Sequence, residues 1–153
     1  GKMTEQNEPN KPLQKLLSMP ASERAKLKVV MTGGVFDILH MGHLFTLTEA
    51  KKHGNFLIVV VAKDEHISKK GRVPIHSQEY RAKMVEALKP VDAIVLGEDD
   101  PKILVEKIKP DVIVYGYDQQ EFLKPEGVEV IRLKEHIEPE KFKTNKIIKE
   151  LGL

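Results

Sequence analysis

The sequence contains no cysteine and no tryptophan, and aromatic residues make up only 5% of the chain. The lack of cysteine excludes disulfides, thiolate nucleophiles and cysteine-ligated zinc. No apolar run approaches the roughly 18 residues that a membrane-spanning helix needs, and no signal-peptide pattern opens the chain. We therefore expect a cytoplasmic protein without a membrane partner.

Neither sign of charge dominates, because 25 basic residues face 23 acidic ones and the formal net charge is +2. This balance gives no electrostatic case for nucleic-acid binding, so an anionic ligand must be held by a local site. What the chain does have is apolar material. Hydrophobic residues form 41% of its 153 positions, which is enough for the core of a single domain.

The first 27 residues differ in composition from the rest. Residues 1–12 are polar and include two prolines, whereas the segment LQKLLSMPASERAKL predicts one or two short helical turns. We expect residues 1–27 to form an arm, flexible or with short helices, that lies on the surface or on a partner subunit. The folded domain is expected to span residues 28–153.

Apolar segments rich in valine and isoleucine recur from Lys28 onward, as is typical of strands buried on both faces. They cover residues 29–33, 56–62, 92–97, 112–116 and 128–133. Helical patterns lie between them and at the end of the chain, over residues 43–54, 77–90, 100–110 and 144–152. This alternation predicts a single α/β domain with a parallel five-stranded sheet and helices on both faces. Ligands of such sheets bind at the carboxyl ends of the strands.

The segment TGGVFDILHMGH, Thr32 to His43, directly follows the first predicted strand. Gly33 and Gly34 allow backbone N–H groups to come close to a ligand. The next helix is expected to start near His43, and a helix N-terminus attracts anions. His40 and His43 share one face if the first turn begins near His40. The pattern therefore indicates an anion site.

Other interpretations of this segment are possible from the residues alone. The two histidines fit surface or helix-cap positions, while a zinc site is disfavoured because no HExxH pattern and no third ligand are evident. Asp37 fits a general base or a metal ligand, although we favour a turn residue that caps backbone groups. No metal site within the chain is predicted.

The full segment resembles the HxGH motif of a nucleotidyltransferase superfamily, and within it the cytidylyltransferase-like group, whose motif reads roughly G-T-F-D-x-L-H-x-G-H. Val35 replaces the usual threonine. The resemblance implies a Rossmann-like doubly wound fold, and it implies that His40 and His43 bind the triphosphate and stabilise the phosphate under attack. Nearby phosphates favour protonated imidazoles. The nucleotide-binding residues that it implies in this segment are Thr32, Gly33, Gly34, Val35, Phe36, His40, Met41, Gly42 and His43.

The same resemblance implies roles for residues after the second predicted strand. Asp64 matches an acidic position that contacts the acceptor, although a helix N-cap is the simpler alternative. Lys70 is also assigned to the acceptor. It lies with Lys69 and Arg72 in a segment that resembles a basic loop over the phosphates, although such charge runs are usually solvated. Arg81 matches an arginine suited to bidentate phosphate recognition and is assigned a catalytic role, with a helix-surface arginine as the alternative.

Two later segments complete the implied nucleotide site. In VIVYGYDQ, Gly116 allows close backbone approach, and Asp118 matches a residue that contacts the base or ribose, a loop aspartate being the alternative. Near the C-terminus, Thr144 aligns with a threonine of a glycerol-3-phosphate cytidylyltransferase motif and begins a helix that suits phosphate. Glu138 occupies the arginine position of that motif, which weakens the glycerol-phosphate assignment.

Residues 71–97 and 108–119 resemble archaeal FAD synthetases, which are FMN adenylyltransferases, and with the HxGH segment the resemblance covers residues 28–150. It implies ATP and FMN as substrates, with the phosphate of FMN attacking the α-phosphorus of ATP. A divalent cation, expected to be Mg²⁺, accompanies the nucleotide. Members of the superfamily are commonly dimers, so a homodimer is expected.

Two other functions remain open from the sequence. The same scaffold serves cytidylyltransferases that act on glycerol 3-phosphate or a related sugar phosphate. A non-catalytic nucleotide-binding regulator is the second alternative, although the intact motif argues against it. Few aromatic residues are present to stack on a flavin, and each also fits a packing role. They are Tyr115, Tyr117, Phe122 and Phe142.

Overall fold

The computed structural model describes residues 11–69, 71–117, 119 and 123–134. Several predicted positions lie outside the described residues. They are residues 1–10, Lys70, Asp118, Phe122, Glu138, Phe142 and Thr144 together with the predicted C-terminal helix.

Five parallel strands form one sheet in the order β3-β2-β1-β4-β5. The strands are β1 (Val29–Gly34), β2 (Phe56–Val61), β3 (Ala93–Leu96), β4 (Val112–Tyr115) and β5 (Glu129–Arg132). Each lies within one or two residues of its predicted bounds. The prediction of a single α/β domain with a doubly wound five-stranded parallel sheet is therefore confirmed.

Two helices precede β1, one or two helices connect each pair of successive strands from β1 to β4, and no helix is described between β4 and β5. The helices are α1 (Lys11–Ser18), α2 (Ala21–Arg24), α3 (Met41–Lys51), α4 (Asp64–Ser68), α5 (Gln78–Glu86) and α6 (Pro101–Ile108). Helix α5 begins where Ser77 accepts a hydrogen bond from the amide of Tyr80, and α6 begins where Asp100 caps Lys102. The short helix α4 was not predicted as a separate element.

Two hydrophobic clusters cover opposite faces of the sheet. On one face, Leu47 of α3 and Val85 of α5 pack against strand residues such as Val59. On the other face, Leu104 of α6 packs with Ile58. Because alternate residues of a strand point to opposite faces, each buried strand contributes to both clusters.

The strand order places the topological switch point between β1 and β4. The chain runs outward from β1 to β2 and β3, then crosses to β4 on the other side of β1. A crevice opens between the carboxyl ends of two strands where the winding direction reverses. The HxGH segment leaves β1 at this end of the sheet, which makes it the place to look for a site.

The described part of the predicted N-terminal arm consists of the two short helices α1 and α2. Helix α1 buries Leu13 and Leu16, with side chains 5% and 3% exposed, in the same cluster as Met31 of β1. Arg24 of α2 donates hydrogen bonds to the carbonyl of Lys109 and to the carboxylate of Asp111. Residues 11–27 are thus packed on the domain, because the apolar face of α1 covers the sheet.

Replacing Leu16 with alanine is expected to lower the free energy of unfolding by about 2–5 kcal/mol, since it leaves a cavity between α1 and the sheet. Urea denaturation measures the change. Leu17→Ala is the matched control, because Leu17 is 38% exposed on the same helix and should cost much less. Equal effects of the two substitutions would contradict the packing of α1 on the domain.

Candidate active site

The turn after β1 is shaped by a phenylalanine in an unusual backbone conformation. Phe36 has φ of 55°, in the left-handed region that non-glycine residues rarely adopt, and its ring is buried. A Cβ at Gly34 would lie 2.8 Å from the Phe36 ring. Gly34 is therefore required for the ring to fold back over the end of β1. The predicted approach of its backbone to phosphate stays a prediction.

His40 and His43 cap the start of α3 reciprocally. Nδ1 of His40, the N-cap residue, accepts a hydrogen bond from the amide of Gly42 at 3.0 Å. Nδ1 of His43 accepts one from the amide of His40 at 3.2 Å. Because Nδ1 is the acceptor in both, each neutral ring carries its proton on Nε2. A Cβ at Gly42 would lie 2.7 Å from the His40 ring, so this position requires glycine.

The two imidazoles face each other closely, with ring centroids 4.0 Å apart, and the Phe36 ring meets the His43 ring edge-on at 5.4 Å. Burial, followed by the nearby charge of His40, lowers the pKa of His43 to about 4. In the absence of a ligand, His43 is therefore neutral at neutral pH. The predicted protonation of this ring requires the negative charge of a bound phosphate.

Both histidines line a cavity of about 520 Å³, here called the histidine cavity. Its other walls come from the turn after β1 and from the segment before α5. The residues that line it are Val35, Phe36, Asp37, Ile38, His40, His43, Ile67, Arg72, Val73 and Ile75. The cavity thus combines two imidazoles, one guanidinium and the Asp37 carboxylate with apolar walls, and its basic groups suit a phosphate.

Asp37 fixes one wall of this cavity. Its carboxylate accepts hydrogen bonds from the backbone amides of Ile75 at 2.8 Å and His76 at 3.0 Å. Burial tends to raise the pKa of Asp37, but these two hydrogen bonds and the charge of Arg81 hold it below its usual value. The carboxylate therefore caps backbone groups, as the favoured interpretation predicts, although the groups belong to a distant segment.

Arg81 differs from both interpretations of its sequence position. Its side chain is fully buried, with 0% exposure, and does not line the histidine cavity. The guanidinium donates hydrogen bonds to the carbonyls of His76 at 3.0 Å and Val35 at 2.8 Å. It also pairs with Asp64 at 2.7 Å. It therefore joins three segments around the site instead of presenting an open fork to phosphate.

Asp64 also differs from its simpler interpretation as an N-cap. Lys63 occupies the N-cap position of α4 and makes no side-chain cap, and Asp64 is the first residue of the helix. One carboxylate oxygen of Asp64 is committed to Arg81, while its side chain remains 41% exposed. No local sequence pattern indicates this pair, because the two residues are 17 positions apart and meet only through the fold.

Gln119, which was not among the predicted site residues, bridges the crevice between β1 and β4. The side-chain amide of Gln119 donates to the carbonyl of Gly33 at 2.9 Å and accepts from the amide of Gly116 at 2.7 Å. Thr32, predicted to bind nucleotide, is buried and donates its hydroxyl to the carbonyl of Val114. Thr32 thus ties β1 to β4 and is not open to a ligand in this conformation.

A second cavity of about 430 Å³, here called the α4 cavity, lies on the other side of the turn after β1. Gly33 and Gly34 contribute to its lining.

Met41, which was also predicted to bind nucleotide, is 51% exposed at the first position of α3. Within the described ranges, no group of three or more His, Cys, Asp or Glu side chains could hold a metal ion. None of the helices in this part of the chain has the length and apolar character of a transmembrane segment.

The fold and the histidine pair after β1 indicate the class of this protein. A model of the cytidylyltransferase-like family matches residues 31–151, and the chain belongs to that family. Over most of its length it is similar to archaeal proteins named FAD synthase. The relative from Aciduliprofundum boonei is 46% identical over 129 residues, which cover 78% of this chain and 87% of the relative.

Two further comparisons also cover most of this chain. The FAD synthase of Pyrococcus abyssi is 46% identical over 134 residues, covering 80% of this chain and 90% of the relative. Among solved structures, a protein described as the lipopolysaccharide core biosynthesis protein of Thermoplasma volcanium superposes with a TM-score of 0.64 at 38% identity. That alignment covers 70% of this chain and 96% of the other.

His43 makes the stability of the fold depend on pH. Its pKa is lowered from 6.5 to about 4 in the folded state, so between these values the unfolded chain binds more protons. The free energy of unfolding therefore rises with pH across this window, by up to about 3 kcal/mol from this group. Chemical denaturation between pH 4 and 7 measures the change.

The control is His43→Asn, whose side-chain oxygen can replace Nδ1 as the acceptor but does not titrate. The loss of stability on acidification should be smaller in this variant than in the wild type. The same loss in both proteins would show that His43 is not the titrating group.

Proposed function

We propose that this protein is an FMN adenylyltransferase, which transfers AMP from ATP to FMN and gives FAD and pyrophosphate. The observation that carries the reaction type is the imidazole pair at the start of α3, which lines the histidine cavity beside Arg72. The choice of FMN as acceptor is supported by the similarity to several proteins named FAD synthase, at 41–51% identity.

In this reaction a phosphate oxygen of FMN attacks the α-phosphorus of ATP. The bond between the α-phosphorus and the oxygen that bridges to the β-phosphate breaks, and pyrophosphate leaves with that oxygen. No covalent intermediate with the protein is needed, so positioning and charge stabilisation supply the rate. A divalent cation, Mg²⁺, enters with ATP as part of the substrate and offsets the charge of the triphosphate.

His40 and His43 act as donors to the triphosphate through Nε2. The backbone amides that hold Nδ1 of each ring fix this tautomer before the nucleotide arrives. Binding of the polyanion raises the imidazole pKa values, because nearby negative charge favours the protonated form. For His43 this shift competes with the hydrogen bond from the His40 amide, because an added proton must sit on Nδ1. His43 therefore donates to phosphate as the neutral ring, through Nε2–H.

The remaining residues of the proposed nucleotide site surround this pair. Arg72 lines the histidine cavity and contributes a further positive charge. Gly116 directly follows β4. Asp118 is the proposed contact to the base or ribose. Lys70 and Thr144 keep their proposed roles toward the phosphates. A homodimer and a cytoplasmic location stay predictions.

A cytidylyltransferase acting on glycerol 3-phosphate or a related sugar phosphate is the second candidate, because the matching family is described as cytidylyltransferase-like. Its chemistry differs only in the nucleotide and the acceptor. A non-catalytic regulator would need the same cavity to bind a nucleotide, but it would not need to align an acceptor substrate with that nucleotide. The arrangement of the histidine pair, fixed by two backbone hydrogen bonds, favours catalysis.

Purified protein given ATP or CTP, each with FMN or glycerol 3-phosphate, tests the function. FAD and pyrophosphate are expected only from ATP with FMN. His43→Ala should lower kcat by about 100-fold to 1,000-fold, the effect of removing one donor to a developing charge. CDP-glycerol from CTP would favour the second candidate. Absence of pyrophosphate from every pair would favour a regulator.

Arg81 acts in this reaction as a positioning residue, through the turn that carries Val35 and through the segment that ends at His76. Support comes from its full burial and its bonds to both carbonyls and to Asp64. A lysine cannot replace it, because one ammonium group does not reach three separated acceptors as a planar fork does.

Arg81→Lys is expected to lower kcat by about 100-fold, as small displacements of reacting groups do, with little change in either KM. Asp64→Asn should have a milder effect of the same kind, since it keeps an oxygen acceptor for Arg81. Lys83→Ala, on the exposed face of the same helix, is the control. Steady-state kinetics with both substrates measures these effects. A raised KM for ATP in Arg81→Lys with kcat unchanged would instead indicate direct phosphate binding.

A further inference from the structure

Two side chains hold the backbone of Gly116 at the point where β4 ends. The amide of Gly116 donates a hydrogen bond to Oε1 of Gln119 at 2.7 Å. Its carbonyl accepts one from Nη1 of Arg132 at 3.1 Å, and the same Nη1 donates to the carbonyl of Tyr117 at 3.2 Å. Gly116 is buried, and buried backbone polar groups need partners, which the two side chains supply here.

Gln119 also connects this point to β1. Its Nε2 donates to the carbonyl of Gly33 at 2.9 Å, although the two residues are 86 positions apart. Its backbone amide donates to the carbonyl of Gly116 at 3.1 Å, so Gln119 is itself fixed against Gly116. A Cβ at Gly116 would lie 3.3 Å from Oε1 of Gln119, so this side chain lies directly against the glycine. One side chain therefore sets the spacing between the ends of β1 and β4.

Arg132 connects the same point to β5. It is the last residue of that strand and lies opposite Tyr115, the last residue of β4. Beyond this pair, its guanidinium binds the carbonyls of Gly116 and Tyr117. Successive carbonyls of a strand point to opposite sides, so one neighbouring strand could not bind both. Arg132 therefore fixes the direction in which the chain leaves β4, where strand pairing has ended.

The two ends that Gln119 joins belong to different parts of the proposed nucleotide site. Gly33 lies two residues before Val35, which lines the histidine cavity together with His43. Gly116 was predicted to let the backbone come close to the nucleotide. A nucleotide that places its phosphates in the histidine cavity and extends to Gly116 therefore needs these two ends at a fixed separation.

We propose that Gln119 and Arg132 are positioning residues for the nucleotide, which hold Gly116 at a fixed separation from the histidine cavity before ATP binds. The inference rests on the proposed function and adds to it two residues that act through backbone groups without touching a substrate. A site that is ordered in advance loses less entropy on binding. Loss of either side chain should therefore weaken binding of the whole nucleotide, whereas binding of the phosphate chain alone is retained.

Gln119→Met and Arg132→Met in the full chain test this proposal, because methionine has no N–H donor and is only a weak acceptor. Each should raise the KM for ATP about ten-fold, the effect of losing one or two hydrogen bonds, and change the KM for FMN much less. Inorganic tripolyphosphate, which has no base or ribose, is the probe for the histidine cavity. As a competitive inhibitor against ATP it should keep its wild-type inhibition constant in both variants, whereas general damage to the fold would weaken binding of both ligands.

Arg132→Gln separates hydrogen bonding from charge. The glutamine amide can still donate to a carbonyl but carries no charge. The KM for ATP of this variant should therefore lie closer to that of the wild type than the KM of Arg132→Met does. Glu129→Gln is the control, since it changes a side chain that is 58% exposed at the opposite end of β5, and it should leave both KM values unchanged.

The outcomes separate this inference from the proposed function. If the wild type forms FAD and both methionine variants keep its KM for ATP, only the inference is overturned. A lowered KM for ATP in Gln119→Met would show that Gln119 occupies the place of the nucleotide, which also overturns it. So would a raised inhibition constant for tripolyphosphate in both Arg132 variants, because it would assign the charge of Arg132 to the phosphates. Should Gln119→Met fail to fold, the two Arg132 variants decide the question. A wild type that forms no FAD overturns the proposed function and the inference together.

Discussion

The buried guanidinium of Arg81 is the interaction on which the geometry of the site depends. A fully buried charge is tolerated only when it is paired and hydrogen-bonded, and Arg81 meets this condition with Asp64 and the carbonyls of Val35 and His76. These partners belong to three segments that are distant in sequence. Because one rigid fork joins them, the turn after β1, the start of α4 and the wall before α5 keep fixed relative positions.

The glycines of the HxGH segment also support the geometry of the site, because they leave space for neighbouring aromatic rings. Gly34 leaves space for the Phe36 ring, and Gly42 leaves space for the His40 ring. With both rings in place, the backbone amides at the start of α3 hold the two imidazoles in one tautomer. The motif therefore orders its histidines before any ligand binds, which lowers the cost of ordering them during catalysis.

The architecture was predictable from the sequence because it depends on local patterns. Buried strands appear as valine-rich and isoleucine-rich segments, and Ser77 and Asp100 mark helix starts. The contacts that shape the site were less predictable because they join distant positions. The Arg81–Asp64 pair, the Gln119 bridge from Gly33 to Gly116 and the packing of α1 on the sheet arise only once the chain has folded. The sequence predicts a site in the segment after β1, where the structure has the histidine cavity, but it could not distinguish residues that line this cavity from residues that hold it together.

The central claim is that the protein transfers the adenylyl group of ATP, through its α-phosphorus, to the phosphate of FMN. Isotope transfer tests it most directly. ATP labelled with radioactive phosphorus at the α position should pass its label to FAD, and ATP labelled at the γ position should pass its label to pyrophosphate. Label from the γ position in a flavin product, or label from the α position that never leaves the nucleotide pool, would contradict the account.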